Sequence, residues 1–126
     1  MTASPSTAAP EPSPVVLEVE KSLLGSILIC GRGWLAKADG LDRRDFGYEP
    51  HRLIWDAICE LDADGEGIDL VTVMYRLERK GTLDRAGGAG YESSLVDRVP
   101  DVENVAAYAR IIREASLMRR RRAWGT

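Results

Sequence analysis

Five stretches of this chain hold residue types that could do chemistry. The most motif-like is Ala86-Gly87-Gly88-Ala89-Gly90-Tyr91, because glycine-rich turns bring backbone N–H groups close to phosphates. A phosphate loop of the Walker kind needs GxxxxGK followed by Ser or Thr, so that the lysine meets the β/γ-phosphates and the hydroxyl meets magnesium. Here Gly90 is followed by Tyr91 and Glu92. A dinucleotide fingerprint needs GxGxxG after a buried strand. Ser93 stands at the third glycine position, and residues 78 to 86, ERKGTLDRA, read as no such strand. Gly87, Gly88 and Gly90 therefore read as a structural turn that supplies positive φ and close approach.

The second stretch, residues 62 to 70, DADGEGIDL, imitates a calcium loop, with Asp62, Asp64 and Glu66 at positions 1, 3 and 5 and Gly67 at the sixth. The bidentate Glu that closes such a shell belongs at position 12, where this chain has Val73. An acidic turn with Asp69 as a helix N-cap accounts for the same residues. His51 is the sole histidine, which excludes a multi-histidine metal site in one chain. Beside Pro50 at a helix start, it reads as a partly exposed or hydrogen-bonded structural residue and not as a catalytic base. Cys30 and Cys59 lie inside apolar helical patterns with no CxxC spacing and read as two buried free thiols in a reducing cytoplasm. No catalytic, cofactor-binding or metal-binding residue is assigned.

Arg119, Arg120, Arg121 and Arg122 form the remaining feature. They read first as a solvated helix end, where cations complement the negative pole of the helix dipole. The alternative is contact with nucleic-acid phosphates or an acidic partner, with Trp124 nearby to stack on a base. The formal net charge is −3, so the chain has an acidic body with a basic end, which argues against a nucleic-acid surface spread over the domain.

The elements that carry these residues are helical. A length of 126 residues with 44% hydrophobic content fits one domain, and the six prolines cluster in the first 14 residues apart from Pro50 and Pro100. Residues 1–14, nearly all Ala, Ser, Thr and Pro, read as a disordered leader, and 15–126 as the helical domain with a basic, frayed end. No apolar run is long enough for a membrane span or a signal peptide, so a cytoplasmic protein is expected.

Helices are predicted near 15–30, 50–63, 69–80, 89–98 and 101–122. In the first, Val16, Val19, Leu23 and Ile27 form the apolar face, with Leu24 and Leu28 widening it. Gly25 inside it predicts a close helix crossing. The stretch between Gly31 and Glu49 holds short helical turns at best. Pro50 stands at the N1 position of the second helix, whose face is Leu53, Ile54, Ala57, Ile58 and Leu61. Asp69 caps the third, with Leu70, Val73, Met74 and Leu77 inward and Gly81 as its C′ residue. Tyr91, Leu95 and Val99 mark the fourth. Pro100-Asp101 stops that helix and caps the last, which carries Val105, Tyr108, Ala109, Ile112 and Ala115. No convincing strand alternation is seen, and the fold class is all-α.

The order of these motifs resembles one family. Glu18-Val-Glu20-Lys-Ser-Leu-Leu24-Gly25, Asp45-Phe46, His51-Arg-Leu-Ile54-Trp, Ile68-Asp69-Leu-Val-Thr72, Gly87-Gly88-Ala-Gly-Tyr91, and Asn104 with Tyr108-Ala109-Arg110-Ile111-Ile112 are similar to the N-terminal domain of the DnaB-type replicative DNA helicases, over about residues 15 to 120. The resemblance implies a small helical domain followed by a helical hairpin that forms the collar of a hexameric ring. It also implies helicase subunits, primase or a helicase loader as partners, indirect or weak DNA contact, and no membrane. ATP and magnesium belong to the family's separate motor domain, so no cofactor and no enzymatic activity are expected of this chain by itself. Gly47 displaces the family's aromatic after Phe46, and Glu92 stands where the family prefers Leu. Thr126 falls in or just after what resembles the first hairpin helix. A stand-alone adaptor or decoy that binds a helicase or primase is the alternative function. A weak single-strand binder using the arginine run is the second alternative.

Overall fold

A computed structural model describes residues 12–97 and 102–124. Among the described residues six α-helices run α1 Pro14–Cys30, α2 Arg32–Lys37, α3 Glu49–Ala63, α4 Leu70–Arg79, α5 Gly88–Asp97 and α6 Val105–Trp124. Short 3₁₀ turns lie at Arg43–Asp45 and Val102–Asn104. No strand occurs among the described residues, in agreement with the all-α reading.

Helix α1 is the central element and packs against α6, α5, α3 and α2. Its Leu23, Leu24, Ile27 and Leu28 are buried, as is Gly25, where the helix is enclosed by its neighbours. Every residue expected on the α3 face is buried: Leu53, Ile54, Ala57, Ile58 and Leu61. Val73 and Leu77 of α4, Leu95 of α5, and Val105, Ala109 and Ile112 of α6 complete the core. Phe46, from the turn before α3, lies fully buried against Trp55 with ring centroids 5.2 Å apart.

The helix ends follow their local chemistry. Ser13 Oγ accepts from the Val16 N–H at 3.1 Å and Pro14 takes the first helical position. The helical domain thus begins at Ser13–Pro14, inside the stretch read as leader; residues 1–11 lie outside the described residues. Asp69 and Thr72 form a reciprocal capping box at α4. Helices α3 and α4 both end in Schellman motifs. Gly65 has φ +72° with Glu66 N–H donating to Leu61 O, and Gly81 has φ +74° with Thr82 N–H donating to Leu77 O. The last helix begins at Val105 after a 3₁₀ turn, later than expected, and runs to Trp124. Val99, Pro100 and Asp101, expected to end one helix and cap the next, lie outside the described residues.

Candidate functional site

A chain of polar side chains runs through the interior and joins α1, α3 and α5. Glu20 and His51 are fully buried, and Glu20 Oε1 lies 2.7 Å from His51 Nδ1. Glu20 Oε2 accepts the Gly47 N–H at 2.9 Å. The other ring nitrogen of His51, Nε2, is 2.6 Å from the Tyr91 hydroxyl. A carboxylate only accepts, so Nδ1 carries the proton, and in the neutral imidazole Nε2 accepts from Tyr91. Tyr48, at the N-cap of α3, packs edge-on to both rings, 4.9 Å from His51 and 6.4 Å from Tyr91.

This arrangement resembles the acid–histidine–hydroxyl order of a hydrolase triad, but its phenol is already committed to holding helices together. His51 is the hydrogen-bonded structural histidine of the two roles expected from its position, and it is buried.

The glycine turn feeds this network. Gly87 and Gly88 have φ of +107° and +83°, and a Cβ on Gly87 would stand 2.5–2.8 Å from atoms of Tyr91. Their bend sets Tyr91 over His51. Gly90 has a different role: it lies inside α5, with nothing within 4 Å of a Cβ placed there. In the acidic turn the side chains are engaged in ion pairs. Asp62 pairs with Arg32, Asp64 accepts from Arg76 at 2.8 Å, and Arg32 also donates to the Glu66 carbonyl at 2.7 Å.

The arginine run divides. Arg120 pairs with the buried Asp45 at 2.6 Å, and Arg119 donates to the Arg44 and Asp45 carbonyls at 3.5 and 3.2 Å. Both therefore turn back onto the domain, whereas Arg121 and Arg122 are exposed. The side chain of Trp124 lies outside what the structure describes.

The two thiols correct the sequence reading, because Cys30 and Cys59 are both exposed. Cys30 is the last residue of α1, and Cys59 falls between the buried positions Ala57, Ile58 and Leu61, on the far side of α3. An apolar neighbourhood in sequence is not a position on the apolar stripe. Partial desolvation, with Asp56, Asp62 and Glu60 nearby, pushes the Cys59 thiol up to about 11.

Glu20 and Glu92 are among the buried polar groups that escaped the sequence reading. Glu20 was not placed on the buried face, and Glu92 was noted only as a departure at a position the family fills with Leu. Glu92 is fully buried, with no hydrogen-bond partner for either carboxyl oxygen. Burial pushes its carboxyl up to about 8. Their spacing held the signal: Glu20 lies three and four residues before Leu23 and Leu24, and Glu92 three before Leu95, so each sits on its helix's apolar stripe.

Residues 12–114 match the family described as DnaB-like helicase N terminal domain. The chain belongs to that family. It is 38% identical over 107 residues to the replicative DNA helicase DnaB of Mycobacterium leprae, covering 85% of this chain and 18% of the relative. To the DnaB of Geobacillus stearothermophilus it is 36% identical, covering 85% of this chain and 24% of that one. The chain thus spans only about a fifth of the length of these curated relatives. Among solved structures, the N-terminal domain of DnaB helicase from Mycobacterium tuberculosis superposes with a TM-score of 0.84 at 36% identity, over 92% of this chain and 81% of that one. A DnaB-like replicative helicase solved with its interactions with primase superposes at 0.70 and 26% identity, over 81% of this chain and 24% of that one. Within this DnaB-like N-terminal domain the Glu20–His51–Tyr91 chain ties α1, α3 and α5 together, with Glu20 and His51 buried and Tyr91 half-buried. On α4, Val71 and Tyr75 are 68% and 60% exposed one helical turn apart, and on α6 Leu117 and Met118 are exposed. No described helix is long and apolar enough to cross a membrane.

Proposed function

We propose that this chain is the non-catalytic N-terminal module of a replicative DNA helicase, working in cytoplasmic DNA replication by docking helicase subunits, a primase or a loader. The observation that carries this reading is the match to the DnaB N-terminal domain solved from Mycobacterium tuberculosis, which covers 92% of this chain and 81% of that one. The DnaB-like replicative helicase described with its interactions with primase supports primase as the kind of partner. The sequence holds no GxxxxGK motif, which supports assigning ATP and magnesium to a separate motor domain. Exposed apolar side chains, Val71 and Tyr75 one turn apart on α4 and the adjacent Leu117 and Met118 on α6, support contact with proteins. DNA contact, where it occurs, falls to Arg121 and Arg122, the exposed half of the arginine run.

The test is to titrate the purified chain with a bacterial primase and, separately, with ATP and magnesium. Saturable binding to primase without nucleotide binding or hydrolysis is expected. Tight ATP binding or turnover by the chain alone would overturn the reading.

A further inference from the structure

We infer that Arg113, Arg119 and Arg120 form a clasp that grips residues 39–47 and fixes the direction in which the end of α6 leaves the domain. The apolar anchoring of α6 stops early. Val105, Ala109 and Ile112 are buried, Ser116 is the last buried residue among those whose side chains are described, and Leu117 and Met118 face solvent. About two more turns of helix follow. A helix end without an apolar anchor frays or swings unless other contacts hold it.

The contacts that tie this end back run through arginines. Arg113 donates to the Asp39 carbonyl at 2.9 Å and lies over Gly40, whose φ of +94° and missing side chain leave space for the guanidinium. Arg119 reaches the carbonyls that close the 3₁₀ turn, and a Cβ on Gly47 would come 3.2 Å from its Nη1. Arg120 meets Asp45, whose other oxygen accepts the Asp42 N–H and so forms that turn. Positions 113 and 120 are seven residues apart, two turns along one face, and 119 is adjacent. The gripped segment is itself fastened to the core, because Phe46 is buried and the Gly47 N–H binds Glu20. The clasp therefore connects the exit angle of α6 to the buried Glu20–His51–Tyr91 network. A basic run at a helix end serves here as an intramolecular fastener in its first half.

Hydrogen exchange of the full chain tests this. In the R119A/R120A double variant, amides from 117 to 122 should exchange at least tenfold faster than in the native chain, while those of 23–28 and 53–61 change less than twofold. Arg121→Ala should leave exchange of the helix end unchanged. Arg120→Lys, which keeps a cation on Asp45, should restore most of the protection in an otherwise native chain relative to Arg120→Ala. Spin labels on A63C and M118C in a C30S/C59S background give a second readout. Their distance distribution should be narrow in the native arginine background and broad in the double variant. Equal exchange of the helix end, or an equal rise in α1 and α3, would overturn the clasp. So would an unbroadened distance distribution.

Discussion

His51 Nδ1 and Glu20 Oε1 stand 2.7 Å apart with neither side chain reached by solvent. This contact joins α1 to α3, and Tyr91 extends it to α5. Removing the imidazole strands the Glu20 carboxyl group in the interior with the Gly47 N–H as its remaining partner. Leaving a buried charged group short of a partner costs about 3 kcal/mol or more, whereas losing one neutral hydrogen bond costs about 1 kcal/mol. His51→Leu should therefore shift the urea midpoint far more than Tyr91→Phe. Equal effects of the two would show that the Glu20–His51 contact contributes no more than the phenol.

Glu92 gives stability a pH dependence of defined sign. Its carboxyl is raised from 4.5 to about 8 by burial, so the folded chain holds the proton more tightly than the unfolded chain. A carboxyl raised in this way weakens the fold as pH rises from about 4.5 to about 8, by up to about 1.4 kcal/mol per pH unit, and adds nothing further above that. The difference between Glu92→Leu and the native chain isolates this group from all others. It should favour Leu increasingly between pH 5 and pH 8 in parallel urea titrations and then level off. A difference constant across that range would show that Glu92 does not titrate there in the folded state.

How far the sequence discloses this architecture depends on what each residue's periodicity says. Leu23, Leu24, Ile27 and the α3 stripe are apolar and periodic, so their helices and inward faces are legible directly. Asp69 and Gly81 mark helix ends by local rules and are found where those rules place them, whereas Pro50 lies one position past the N1 site expected of it, because Tyr48 is the N-cap and Glu49 the first residue of α3. Glu20, His51, Glu92 and Ser116 lie on the same stripes, three or four residues from buried apolar neighbours, but carry polar atoms that the hydrophobic pattern discounts. Whether such a group is buried with a partner depends on what another helix brings, which a pattern along one helix does not contain. The inward turn of Arg119 and Arg120 is illegible for the same reason. Its cause is Asp45, some seventy residues earlier in sequence.

Cys59 should be chemically quiet despite its exposure. With its thiol near 11, the thiolate at pH 8 is about a hundredfold scarcer than for a thiol at the ordinary 9.0. Alkylation of the Cys30→Ser variant by iodoacetamide, followed by mass spectrometry, should be slower than that of free cysteine and still accelerating at pH 10. A rate that levels off below pH 9 would show that Asp56, Asp62 and Glu60 do not hold the proton on.

The three glycines of the 87–90 turn should respond differently to one methyl group. Alanine at Gly87 or Gly88 must adopt positive φ, a strain of about 1–2 kcal/mol. At Gly87 the methyl also meets the Tyr91 ring, whose hydroxyl is needed at His51, so Gly87→Ala should be the more damaging of the two. Gly90 lies in α5 with open space around it, and alanine there should stabilise the helix by about 0.5–1 kcal/mol. Urea unfolding of the three variants should thus give two losses and one gain. A loss of stability for Gly90→Ala would show that this position is not the open helix surface that its surroundings indicate.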